Sequence, residues 1–161
     1  MITVRLVTPS DDLSAIVSEI NLATWDDDNE LAVHDAESLS AYLACQDTLF
    51  LTCHEVESGK STFLGMASSR IEIKPYEKSR WLYVAEVHVC ADQRRKGAGR
   101  AMMNRLFEIA RERGCEEVWL GTEVDNIPAR ALYQSLAPDE VAEVIGYSYE
   151  IVCGSNTRRE P

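Results

Sequence analysis

Arg94-Arg95-Lys96-Gly97-Ala98-Gly99-Arg100 is the stretch that decides how this chain folds. It follows an alternating apolar pattern from Leu82 to Val89. It opens a helical pattern with Ala98, Ala101, Met102, Leu106, Ile109 and Ala110 on one face. A strand, a tight basic turn with two glycines and a helix make a good cradle for a phosphate. The first N–H groups of a helix lack intrahelical acceptors, and the macrodipole adds partial positive charge there. Gly97 and Gly99 let the backbone approach an anion without a Cβ in the way. Arg94, Arg95, Lys96 and Arg100 add full positive charges. The plainer alternative is an ordinary strand-to-helix turn with solvated basic residues.

Working outward, Val84 to Gly99 resembles the acyl-coenzyme A signature of the GNAT superfamily of N-acetyltransferases. That signature is a Gln or Arg, two residues, Gly, one residue, then Gly or Ala, and Arg94 to Gly99 fits it. A second match follows the apolar run Val118 to Glu123. It is Asn126-Ile127-Pro128-Ala129-Arg130-Ala131-Leu132-Tyr133, where the family opens a helix with Asn and lines its inner face with Ala-x-x-Leu-Tyr. The resemblance covers residues 48 to 152, with a weaker match before them. One departure stands out. The family follows the next Leu with Gly-Phe, whereas this chain has Leu136-Ala137-Pro138.

The 161 residues suit one domain, 1–153, with a frayed polar tail, 154–161. Composition is that of an ordinary globular protein. The net charge of −11 argues against a nucleic-acid partner, which needs a basic face. It suits a cationic substrate, though acidity also serves solubility. No apolar run is long enough for a membrane helix, and the N-terminus reads as a strand rather than a signal peptide. Five dispersed cysteines point to reduced thiols in a cytoplasm, and with the unclustered His34, His54 and His88 they predict no metal site.

Pattern and punctuation predict a strand at 2–7, then a helix capped by Ser10 or Asp11 with Leu13, Ile16, Val17 and Ile20 inward. An acidic loop at 25–30 and a helix at 36–45 follow. Strands at 48–56 and 62–73 form a hairpin about Glu57–Lys60. A strand at 81–90 leads through the basic turn into a helix at 98–113, ended by Gly114. A strand at 116–122, a helix at 127–136 and a strand at 143–152 complete the order β-α-α-β-β-β-α-β-α-β. This is an α/β (α+β) chain with a mixed, mostly antiparallel central sheet and helices on both faces. The resemblance adds that the fourth and fifth strands splay apart. A coenzyme A arm then lies in the gap against Val87, His88 and Val89.

Acetyl transfer to an amine needs a held amine, a proton acceptor, an oxyanion donor and an acid for the leaving thiolate. Glu86 sits inside an otherwise apolar strand, where a carboxylate is costly unless it meets a cleft or a partner. The resemblance implies that it binds or deprotonates the amine; a structural ion pair is the alternative. His88 shares its strand parity and is a second base candidate. Cys90 invites an acetyl-cysteine route, although a buried inert thiol explains it as well. By resemblance Tyr133 protonates the thiolate, Asn126 caps its helix and touches the pantetheine arm, and Ala129 lies beside that arm. A core tyrosine is the alternative for Tyr133. The turn residues Arg94, Arg95, Lys96, Gly97, Ala98, Gly99 and Arg100 would hold the phosphates, and the N–H near Val89 the oxyanion.

The run Phe63 to Val89, with Glu77 and Glu86, resembles the GNAT-type aminoglycoside 3-N-acetyltransferases. That makes acetyl-coenzyme A the cosubstrate and a polycationic aminoglycoside the first choice of acceptor. Asp26, Asp27, Asp28, Glu30 and Glu123 join Glu86 as substrate-binding candidates. A protein N-terminus, a lysine or another small amine is the rival acceptor, and a non-catalytic acyl-coenzyme A sensor is the rival class. A homodimer is compatible with everything above.

Overall fold

Four strands consecutive in the chain build most of the sheet, the last three joined by the short connections that antiparallel neighbours allow. The computed structural model describes residues 1–26, 33–76 and 78–151. In it β1 (Ile2–Leu6), β2 (Thr48–Glu57), β3 (Lys60–Ile73) and β4 (Arg80–Val89) pair antiparallel in that order. Ser58 and Gly59, at φ 50° and 79°, close the β2–β3 hairpin with the left-handed turn that matches strand twist. β5 (Glu117–Leu120) joins β4 in parallel, which requires a crossover. The helix α3 (Ala98–Glu112) supplies it, and Gly114 follows in the left-handed conformation.

Each face of the sheet has its own cover. On one side α3 buries Met102, Met103, Leu106 and Ile109 against Leu51, Leu64, Leu82 and Val84. On the other, α1 (Leu13–Leu22) and α2 (Ala36–Ala44) pack Ile16, Val17, Ile20 and Leu39 against Val7, Phe50 and Met66. The mixed, mostly antiparallel sheet with helices on both faces is therefore what forms. After β5 comes α4 (Ile127–Gln134). No helix of the described residues is long and apolar enough to cross a membrane.

Two expectations need correction. The N-cap of α1 is Asp12, not Ser10 or Asp11: its Oδ1 accepts from the Ala15 N–H at 3.0 Å. Asp11 is committed one turn earlier, accepting from the Thr8 N–H at 2.7 Å. The second correction concerns the expected strand at 143–152. Its described part, to Ile151, pairs with no described residue, so among the described residues the sheet has five strands rather than six. Alternating side chains make a chain fit to be a strand, but a strand exists only where a neighbour offers its ladder. Residues 154–161 lie outside the described residues.

A bulge in β4 determines how the site is built. Ser69 pairs with Val84 and Ser68 with Glu86, leaving Ala85 without an opposite residue. Strict alternation would put Glu86 on the same face as Val84, under α3. The extra residue reverses that. Val84, Val87 and Val89 face the α3 side, whereas Glu86 and His88 follow Ser68 and Met66 to the α1–α2 side.

Candidate active site

The chain leaves β4 through a short 3-10 turn, Ala91–Gln93, and enters the basic stretch. Arg95 and Gly97 both take left-handed φ, 63° and 93°. Gly97 is the N-cap of α3, and no side chain caps it. The first intrahelical bond closes from the Ala101 N–H to the Gly97 carbonyl at 2.9 Å, so the amides of Ala98, Gly99 and Arg100 have no acceptor within the helix. The two glycines serve different ends. Gly97 is there for its backbone conformation. A Cβ on Gly99 would lie 2.8 Å from Leu132 Cδ2 and 3.6 Å from Val89 Cγ2, so the start of α3 sits close beneath a side chain of α4.

Three of the four cations at this turn are tethered. Arg94 pairs with Asp26. Lys96 Nζ lies 2.6 Å from Glu55 Oε2, and Arg100 donates to Ser135 Oγ at 2.7 Å. The Lys96 ammonium holds the Glu55 carboxyl below its usual pKa. An anion arriving here would exchange partners with existing pairs.

Beside the turn the sheet opens. β4 and β5 pair only from Trp81–Glu117 to Val84–Leu120, and β4 runs on to Val89 with β3 alone beside it. The fourth and fifth strands thus part after Val84. The Cys90 N–H donates to the Leu64 carbonyl at 2.9 Å. N–H groups alternate between the edges of a strand, so the Val89 N–H one residue earlier points into the opening. Gly65 makes this section of β4 possible. A Cβ there would meet the His88 carbonyl oxygen at 2.2 Å.

Glu86 projects from the face chosen by the bulge, its side chain 55% exposed. Ser68 Oγ donates to its Oε2 at 3.2 Å. His88 Nε2 lies 4.0 Å from the same oxygen and has no hydrogen-bond partner. Burial pushes the His88 pKa down, with Glu86 opposing, so the imidazole is neutral at neutral pH. Trp25 packs edge-on against its ring at 6.1 Å. A carboxylate open to solvent therefore lies beside an imidazole whose Nε2 is buried, and of the two the carboxylate is the one open to an incoming amine. Cys90 is a different case. Burial raises its thiol to about 11, which leaves almost no thiolate for nucleophilic attack.

Tyr133 is half-buried beside the α3-side core, in the cluster that includes Val87, Val89 and Leu120. Burial raises its pKa, which keeps the phenol protonated. Asn126 caps α4, its Oδ1 accepting from the Ala129 N–H at 3.2 Å. Ala129 is partly buried, and Glu123 is exposed in the loop after β5. Asp26 is not a free carboxylate, since Arg94 occupies it. Asp27, Asp28 and Glu30, together with Glu77, lie outside the described residues. Among the described residues no group of three His, Cys, Asp or Glu could hold a metal.

Ser68 and Trp25 belong to this site but were not singled out from the sequence. Ser68 left a faint trace, being one of two adjacent serines in an apolar strand. Trp25 left none, for its partner His88 is far along the chain.

A family model described as the acetyltransferase (GNAT) family matches residues 13–137. Mouse N-acetyltransferase family 8 member 3 is 29% identical over 98 residues, which is 61% of this chain and 43% of that protein. Human N-acetyltransferase 8 is 28% identical over 85 residues, 53% of this chain and 37% of that one. The matches span less than half the length of these relatives. Among solved structures, an aminoglycoside acetyltransferase from an uncultured soil metagenomic sample, in complex with trehalose, has a TM-score of 0.76 at 18% identity, covering 93% of this chain and 96% of its own. A ribosomal-protein-alanine N-acetyltransferase from Brucella melitensis biovar Abortus 2308 reaches 0.66 at 19% identity, covering 93% and 99%. At these identities both show a shared fold.

Proposed function

From the premise that this chain belongs to the acetyltransferase (GNAT) family, we propose that it moves an acetyl group from acetyl-coenzyme A to a primary amine of a cationic small molecule, an aminoglycoside first among them. The observation that carries this reading is the bulge at Ala85. It takes Glu86 out of the core and sets it on an open face next to a neutral His88, where β4 parts from β5.

The residues present suit the coenzyme. The unbonded α3 amides, the left-handed Gly97 and the cations of the turn would hold its phosphates. The free edge of β4 at Val87 and Val89, with Asn126 and Ala129 across the gap, would hold its arm. When bound, the coenzyme supplies a thioester whose carbonyl carbon accepts the amine. Glu86 would hold the ammonium and take its proton, with the His88 ring packed beside it. The Val89 N–H, pointing into the opening, would donate to the carbonyl oxygen as charge develops there. Tyr133 gives its phenolic proton to the sulfur that leaves.

A peptide α-amine is the second reading, favoured by the engagement of Asp26 with Arg94. That pair removes one carboxylate from the set that would attract a polycation. The deciding experiment is thiol release from acetyl-coenzyme A with aminoglycosides, simple monoamines and peptides as acceptors. Turnover of gentamicin above monoamines, with an apparent KM that rises with salt, is the expected result. Turnover of peptides alone replaces the acceptor, and an absence of thiol release with every amine removes the enzyme reading.

A further inference from the structure

Three side chains form a row across the sheet next to Glu86. Arg70 of β3 stands opposite Tyr83 of β4, and Tyr83 opposite Trp119 of β5. The Arg70 guanidinium lies 4.9 Å from the centre of the Tyr83 ring. Tyr83 stacks on Trp119 at 5.3 Å, with 14° between the planes. Leu82 and Val84 point toward α3, so Tyr83 between them points the other way. The bulge at Ala85 sends Glu86 to that same face, which makes Tyr83 and Glu86 neighbours on one surface. The cover of α2 stops just short of the row. The Tyr42 hydroxyl donates to the Ser69 carbonyl at 2.9 Å, and Arg70 beside it is exposed. Tyr83 and Trp119 are half-buried and lie outside both cores.

We propose that Trp119 sets the specificity of the acceptor site: it takes a second, ammonium-bearing ring of the acceptor while the reacting amine lies at Glu86. The inference rests on the acetyl-transfer reading above and adds to it a need for two cationic groups set apart. Three observations support it. The indole turns toward the opening of the sheet, its Cη2 lying 3.4 Å from where a Cβ on Gly121 would stand, just past the end of β5. The other rings of this face already hold cations, for Lys74 Nζ lies 3.2 Å from the centre of the Trp81 ring and Arg70 covers Tyr83. Among the described residues no cation lies over Trp119. Exposed acids precede and follow it, Glu117 on the same face and Glu123 in the next loop. An aromatic face among carboxylates attracts a cation. Arg70 closes the inner end of the row and is held there by Glu72 at 2.6 Å, so a further ring joins at Trp119, on the last strand of the sheet. Strands lie ~4.8 Å apart and residues ~3.3 Å along them, which sets Glu86 and Trp119 roughly 10 Å apart, the span of two linked sugar rings. An amine with one ring reaches only one of the two.

Titration calorimetry of the full chain with gentamicin, and with its single-ring aminocyclitol core, tests this without any turnover. Gentamicin should bind the more tightly. Trp119→Leu keeps bulk but removes the ring, and should weaken gentamicin by ~10–30-fold and the single-ring amine by less than about threefold. Trp119→Phe keeps a ring and should recover most of the loss. In thiol release the Leu variant should raise KM for gentamicin with little change in kcat, the pattern of lost binding rather than lost chemistry. Circular dichroism checks that each variant is folded. Should the Leu variant unfold, tryptophan fluorescence supplies a second readout: gentamicin should quench it in the parent and leave it unchanged in Trp119→Phe. Equal weakening of both amines in Trp119→Leu would make Trp119 a packing residue and overturn the proposal, with the transfer reading left standing. Unchanged gentamicin affinity in that variant, or no gentamicin binding by the parent, would overturn it as well. Gentamicin held through Trp119 without thiol release would uphold the subsite and remove the transfer reading instead.

Discussion

The two halves of β4 have the same partner on one side and opposite surroundings on the other. From Trp81 to Val84 the strand is paired on both sides, with Leu82 and Val84 closed in the α3-side core. From Glu86 to Val89 it is paired with β3 alone, and its side chains have changed faces. One unpaired alanine and the early end of β5 make the difference. The first half is framework. The second has spare N–H groups, an exposed carboxylate and a neutral imidazole, which chemistry can use and stability cannot.

The sharpest test sets one residue from each half against the other. Glu86→Gln should lower amine turnover by ~10²–10⁴-fold, the range for loss of an acid–base group, with no loss of melting temperature. Leu82→Ala should do the opposite, costing ~2–5 kcal/mol in denaturant titration while the folded fraction keeps its turnover. A Glu86→Gln variant that unfolds would return this glutamate to the framework. Tyr133→Phe comes next, with a kcat lower by ~10²-fold and little change in KM for acetyl-coenzyme A. Wild-type kcat in that variant would leave Tyr133 a packing residue.

Gly65→Ala should blur the division between the halves. Its Cβ has to displace the His88 carbonyl, so a stability loss of ~1–3 kcal/mol should come with a loss of activity. A small effect arises from His88 itself. Its folded pKa lies below the ordinary value, so the unfolded chain binds a proton first as pH drops. The stability this contributes is full above about pH 6.5 and lost as pH falls toward the folded pKa. Urea titrations from about pH 7.5 to 5.5 should show that slope in the wild type and a shallower one in His88→Gln. Equal slopes would mean that the imidazole is not held neutral by burial.

The framework half was largely legible in the sequence, and the other half only in part. Alternation from Leu82 to Val89, the basic glycine turn and the 3.6-residue pattern of α3 are local signals, and they gave the strand, turn and helix in place. The bulge is not local. Ala85 looks like any strand residue, and only β3's register shows that it has no opposite number. Glu86 stood out by being charged, but the face it would take depended on that bulge. Gly99 was read as space for an anion, and its actual neighbour, Leu132, comes from a helix further along the chain. The expected last strand failed for a related reason: alternation from Ile145 to Ile151 describes a chain able to pair without saying with what. The pairing of Asp26 with Arg94, 68 residues away, left no mark in the sequence.

The order in which the strands lie also sets an order of assembly. β1 apart, each step from β2 to β4 joins a strand to the one just before it, so little loop entropy is lost at each step. β5 must wait for α3 to be laid across the sheet, and it is then held by four residue pairs on one side. The seam between β4 and β5 is therefore the last part of the molecule to zip and the first to breathe. Amides of β5 should exchange with solvent well before those at the centre of β2 and β3. The gap beside Glu86 and Val89, where the proposed reading seats its substrates, thus adjoins the most weakly held seam of the sheet.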